Sequence, residues 1–156
     1  HAALMRFLTT LGTPMPREFT AAVEYAINSL LRRAISKDEL DAERIRNLLR
    51  EAQAGNLTLD RTTLEFLLRQ KVDTLAGRFA ADPSNLEKLL DLHRCLTIVK
   101  QMPFPVNLWA AQNHVYAIQG RLYPRVKRRA QRGDGKAQTW LENYVSLSEL
   151  LSIRLP

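Results

Sequence analysis

Apolar side chains recur in this chain at spacings of three and four, and each run stops at a proline, glycine or asparagine signal. That pattern restricts the fold more than any single motif does. Phe19, Ala22, Val23, Ala26, Ile27, Leu30, Leu31 and Ala34 make one stripe, which predicts a helix over about 16–35. Pro16 suits its first turn, where a missing N–H leaves nothing unsatisfied. Ser36 and Glu39 have the spacing of a capping box and are expected to open a second helix, with Ile45, Leu48, Leu49 and Ala52 inward and an exit at Gly55-Asn56. Asp60 can cap a third, carrying Leu64, Leu67, Leu68, Val72, Leu75 and Phe79. Asp82-Pro83 reads as the start of a fourth, which runs to about Gln101 through Leu86, Leu89, Leu90, Leu92, Leu96 and Val99.

Pro103-Phe104-Pro105 forces an extended turn. A fifth helix is expected from near Val106, with Leu108, Ala111, Val115, Ile118, Leu122 and Val126 on one side and Pro124 either kinking or ending it. Gly133-Asp134-Gly135 breaks the chain before a sixth, with Leu141, Tyr144, Leu147 and Leu151. No segment alternates as a strand would. The fold class expected is all-α, a single compact bundle of about six helices over residues 1–156, mostly antiparallel neighbours because the connections are short. With 156 residues, the chain is long enough for one domain with a sizeable core.

The charge is unevenly placed. The chain carries a net charge of +7. Residues 1–91 hold 13 basic and 13 acidic side chains, whereas residues 92–133 hold eight basic side chains and no acid. Six of those eight fall within 121–132: Arg121, Arg125, Lys127, Arg128, Arg129 and Arg132. Such a cluster can hold anions, and it is also what an ordinary helix end carries against the negative pole of its dipole. On a helix 125, 128, 129 and 132 share a face and 127 points away, so the anion-binding candidates are Arg121, Arg125, Arg128, Arg129 and Arg132. No helix-turn-helix, zinc finger or RNA-recognition motif accompanies them, which argues against nucleic acid.

Catalytic and metal-binding constellations are not found in the pattern. His93 and His114 lack the spacing that puts two ligands on one helix face, and His93 sits among leucines as a half-buried, satisfied histidine would. Cys95 is the one cysteine and fits a small core residue, so no disulfide or cysteine-built zinc site is expected. No two carboxylates are set among aromatic residues, and the six glycines form no phosphate loop. No cofactor and no metal are expected. No apolar run approaches the roughly 20 residues a membrane span needs. The chain opens on His1 without a charged-then-apolar leader; it is read as a domain excised from a longer chain, and a cytoplasmic location is expected.

The most distinctive stretch is 103–124. Trp109, Tyr116 and Tyr123 recur at intervals of seven, an aromatic stripe on a helix; Asn113 lies beside it, and Gln112 and Gln119 form an amide-bearing line. Amides beside aromatic faces can bind a sugar or a peptide, or tie down a neighbouring loop or domain.

Two strings carry a family resemblance. One is the Thr13-Pro14-Met15-Pro16 entry followed by Ala21, Ala22, Glu24 and Asn28. The other is Pro103-Phe104-Pro105-Val106-Asn107-Leu108-Trp109 followed by Ala111-Gln112-Asn113. Together they cover about a third of the chain and resemble the helical C-terminal domain that accompanies the catalytic domain in a bacterial branch of glycoside hydrolase family 57, an α-amylase- and α-mannosidase-like family. The resemblance implies a non-catalytic helical accessory domain of a carbohydrate-active hydrolase, with an upstream catalytic domain in the same chain as partner and carbohydrate as a further candidate. The family's catalytic carboxylates belong to a strand-and-helix barrel with no counterpart here, so no catalytic residue carries over. Asn107, Trp109, Gln112 and Asn113 match the family-like string and, with Tyr116, become the candidates for an interdomain or ligand contact. A nucleic-acid-binding module built on 121–132 and an oligomerisation or docking domain remain the alternatives.

Overall fold

The computed structural model describes residues 14–156, together with residues 3, 6, 7 and 10–12. Among the described residues there is no strand, and seven helices follow one another: α1 (Arg17–Ser36), α2 (Ala42–Ala54), α3 (Arg61–Ala81), α4 (Leu86–Gln101), α5 (Trp109–Arg121), α6 (Tyr123–Gln131) and α7 (Gly135–Leu150). The count is seven rather than about six because the expected fifth helix is two. Pro124 offers no N–H, and its ring would strike the carbonyl one turn back. The chain breaks at Leu122, whose carbonyl accepts from Arg125 N at 3.1 Å and Val126 N at 3.0 Å, and Pro124 sits in the first turn of a new helix. Thr13, the first residue of the Thr-Pro-x-Pro entry, lies outside the described residues.

The residues form two compact units, one up to Leu67 and one from Leu68 onward, with the boundary inside α3. In the first, α1 packs against α2. Ile27, Leu31, Ala34 and Ile35 of α1 are buried, as are Ile45, Leu48 and Ala52 of α2 and Leu64 of α3. Because Ala34 and Ile35 are buried, α1 continues through Ser36 and the capping box expected at Ser36–Glu39 does not form. The chain bends after Ser36, and Asp41 caps α2 instead, accepting from Arg44 N at 3.1 Å. The exit of α2 is a Schellman turn: Leu57 N donates to Ala52 O at 2.9 Å and Asn56 N to Gln53 O at 3.1 Å. Asn56, with φ of 49°, supplies the left-handed residue.

Glu24 and Asn28 pin the segment between α2 and α3. Asn28 Nδ2 donates to Thr58 O at 3.0 Å and to Glu24 O at 2.8 Å, and Asn28 Oδ1 accepts from Asp60 N at 2.7 Å. Glu24 Oε1 accepts from Thr58 N at 2.7 Å. Asp60 then caps α3 through Thr63 N at 3.2 Å, as its position in the sequence leads one to expect. Hydrogen bonds from the Thr63 hydroxyl first and its main-chain N–H second hold the Asp60 carboxyl below its usual range.

In the second unit α7 packs against both α4 and α6, and α5 packs against α6. The centre is aromatic. Tyr144 is fully buried, stacked on Trp140 at 4.7 Å and tilted against Tyr123 at 5.8 Å and Phe79 at 6.5 Å. Its hydroxyl donates to Val115 O at 2.8 Å, and the Trp140 indole N–H donates to Pro83 O at 2.8 Å. Pro83 therefore belongs to a turn, not to a helix. Asn85, accepting from Lys88 N at 3.3 Å, is the cap of α4, in place of Asp82. Asp82 instead takes Lys88 Nζ at 2.9 Å, a contact that lowers its pKa.

Candidate functional site

Of the residues singled out around 107–116, Trp109, Gln112, Asn113 and Tyr116 lie on one side of α5, and Asn107 precedes the helix. Trp109 N donates to Asn107 Oδ1 at 3.0 Å, so Asn107 shapes the entry to the helix. Ala111, Val115 and Ile118 turn inward and are buried. With 100° per residue, the opposite face presents Gln112, Trp109, Asn113 and Tyr116. The aromatic stripe divides there. Trp109 is 69% exposed and Tyr116 67%, whereas Tyr123 is 6% exposed. The break at Leu122 rotates Tyr123 out of the heptad and into the core beside Tyr144. Trp109 and Tyr116 are left as two large rings on the surface of one helix.

Against this face runs the C-terminal segment 151–156. It leaves α7 by another Schellman turn: Ser152 N donates to Glu149 O at 3.0 Å and Ile153 N to Ser148 O at 2.8 Å, with Ser152 left-handed at φ of 56°. Two amides of α5 hold it. Gln112 Nε2 donates to Leu151 O at 2.9 Å and Gln119 Nε2 to Arg154 O at 2.9 Å. The two glutamines lie seven residues apart, on one line. Between α5 and this segment is a groove of about 620 Å³, lined by Gln112, Asn113, Tyr116, Gln119 and residues 151–156. Its size is that of a small-ligand cleft. Asn113 is exposed and its amide has no partner among the described residues. Gln119 Oε1 is buried and likewise accepts no hydrogen bond from them. Turning that amide over would set two carbonyl oxygens against each other, so its nitrogen belongs with Arg154 O.

Of the five expected contact residues, Gln112, Asn113 and Tyr116 line the groove; Trp109 stands beside it on the same face, and Asn107 lies before the helix. Gln119 was legible as the second residue of the amide line. The wall formed by 151–156 was not, because the glutamines recognise main-chain carbonyls, which every sequence has.

The arginines are placed differently. α6 buries Tyr123 and Val126 and turns Arg125, Arg128 and Arg129 outward; Arg121 ends α5, and Arg132 caps α6. Lys127 is apart, its Nζ 5.6 Å from the centre of the Tyr123 ring. Arg129 is engaged: its Nε and Nη2 reach Asp134 Oδ2 at 3.0 and 2.7 Å. Arg121, Arg125, Arg128 and Arg132 are exposed and have no hydrogen-bonding or ionic partner among the described residues.

The other candidate groups are structural. Cys95 is buried, and desolvation pushes its thiol up to about 12, so it is no nucleophile. His93 Nε2 lies 2.8 Å from Ser146 Oγ, a tie between α4 and α7, and burial lowers its pKa. His114 is exposed. Among the described residues no three His, Cys, Asp or Glu side chains gather as a metal-binding group, and no helix is long and apolar enough to cross a membrane. No family model matches the chain, and neither a curated protein nor a solved structure matches it.

Proposed function

We propose that this chain is a non-catalytic helical accessory domain of a carbohydrate-active hydrolase, and that the exposed face of α5 is where it meets the catalytic domain or its cleft. The observation that carries this reading is the pair Trp109 and Tyr116. Two large rings, each about two-thirds exposed on one helix face, are a contact surface rather than part of the core. They lie in or beside the string that resembles the accessory domain of the family 57 hydrolases, and the amide groups a contact needs flank them. The titratable groups fit a supporting role: Cys95 and His93 are taken up in packing, and Asp60, Asp82 and Asp134 in turns and caps.

The test is hydrolysis by the 156-residue chain itself. Incubated with amylose or maltoheptaose, it is expected to release no reducing ends above a buffer control. Release at an enzyme-like rate overturns the non-catalytic assignment. A natural parent polypeptide with no strand-and-helix barrel ahead of this segment overturns the assignment to a hydrolase.

A further inference from the structure

We propose that a row of rings and amides on α5 docks a proline-rich, polyproline-II segment of a partner polypeptide, and that residues 151–156 sit there as an exchangeable internal ligand. The inference rests on the reading above and names what the partner domain lays on the α5 face.

The row is regular. Trp109, Gln112, Tyr116 and Gln119 follow one another at steps of three, four and three, so ring, amide, ring and amide alternate along one side of the helix. Both rings are exposed. Tyr116 lines the groove together with the two glutamines, and Trp109, outside the groove, continues the row.

The segment already bound shows what the amides recognise. Gln112 Nε2 donates to Leu151 O and Gln119 Nε2 to Arg154 O, two main-chain carbonyls three residues apart. The donors are seven residues apart on α5, about 10 Å along the axis at 1.5 Å per residue. A polyproline-II helix has three residues per turn and rises about 3.1 Å per residue, so every third carbonyl faces the same way, about 9 Å further on. A β-strand repeats every second residue, about 7 Å apart, and its third carbonyl faces away. Residues 151–156 reach the three-residue phase by way of Ser152, left-handed at φ of 56°. A polyproline-II segment has that phase throughout.

The remaining chemistry points the same way. Polyproline II has no internal hydrogen bonds, so its carbonyls are free to accept. Its pyrrolidine rings pack on aromatic side chains, the usual lining of a groove for proline-rich ligands. It arrives already in its bound shape, which keeps the cost of ordering low. The internal ligand is held lightly enough to leave. Beyond Ile153, whose N–H closes the turn on Ser148 O, its one hydrogen bond among the described residues is the exposed bond from Gln119. Ile153 and Leu155 are only half-buried. On release Ser152 can quit the left-handed region, which a side chain disfavours.

The experiment is an NMR titration of the isotope-labelled chain with nonaproline and, separately, with a Gly-Ser peptide of the same length. Each is taken to about 10 mM, tenfold above a millimolar Kd. Nonaproline is expected to give saturable shifts of the Gln112 and Gln119 side-chain amides and of the Trp109 indole, and the flexible Gly-Ser peptide none. Ile153→Ser combined with Leu155→Ser loosens the internal competitor and is expected to tighten nonaproline binding about threefold or more. Tyr116→Ala is expected to weaken it about tenfold with the melting temperature unchanged, since the ring is exposed. The proposal is overturned by no saturable shift in either the natural or the loosened chain, by shifts confined to other surfaces, by an equal response to the Gly-Ser peptide, by equal binding to the natural and loosened chains, or by undiminished binding to Tyr116→Ala. Concentration-dependent shifts of this face without peptide also overturn it, because a second copy is then the occupant. Reducing-end release in the same samples separates the two claims. A face that binds no probe in a chain that also hydrolyses nothing sinks this inference alone, whereas hydrolysis sinks the proposed function whatever α5 binds.

Discussion

Tyr144 ties α7 to α3, α5 and α6. Its ring meets Trp140, Tyr123 and Phe79, and its hydroxyl satisfies Val115 O across two helices. Burial raises its pKa well above the usual phenol range, so it stays a donor. Tyr144→Phe keeps the rings and removes only that donor. The expected loss is about 1 kcal/mol, read as a lower urea midpoint at unchanged m. A loss below a few tenths would show that Val115 O had not depended on it. Single residues were legible where they repeat the apolar spacing: Cys95 and Leu96 fall inside the α4 stripe and are buried. Trp109 was not. A tryptophan in an apolar stretch fits the core or the surface equally well, and here burial of Ala111, Val115 and Ile118 turns it outward.

Element boundaries turned on which main-chain groups are already in use. Asp60 was readable as a cap because nothing competes for it. Asp82-Pro83 misleads because Pro83 O serves the Trp140 indole, a partner 57 residues away, and the helix waits for Asn85. The two glutamines that hold the C-terminal segment to α5 make a paired test at this scale. Gln112 makes a half-buried bond to Leu151 O, and Gln112→Met should cost about 1 kcal/mol. Gln119→Met loses a more exposed bond, to Arg154 O, but also removes the buried, unsatisfied Oε1. The two effects oppose each other, so the change should fall within about 0.5 kcal/mol of zero. Thermal unfolding of both variants checks the difference; equal losses would show that Gln119 Oε1 is in fact satisfied.

At the scale of the whole molecule, the net charge of +7 resolves into a neutral first stretch, one basic segment of +8 and a last stretch, 134–156, of −1. Four of the basic segment's arginines, 121, 125, 128 and 132, have no partner among the described residues, while Arg129 is spent on Asp134. If the segment touches DNA it can neutralise about four phosphates, and the slope of log K against log salt should be no steeper than about −4. Fluorescence anisotropy with duplex DNA at low and moderate salt measures it; a steeper slope or a sequence preference would revive the nucleic-acid reading. The helical class was legible throughout the chain, because periodicity is a property of long segments. Its division near Leu67 was not, since the apolar stripe of α3 runs unbroken across the boundary. The turn between α6 and α7 sets one further limit. Asp134 N closes α6 on Arg129 O at 3.2 Å, Asp134 Oδ1 opens α7 on Lys136 N and Ala137 N at 3.1 Å each, and Gly133 before it is left-handed at φ of 89°. One residue is thus the last of one helix turn and the first of the next. A single insertion or deletion between Arg132 and Gly135 would break both ends together, so among homologous chains this is where length should be most strictly kept.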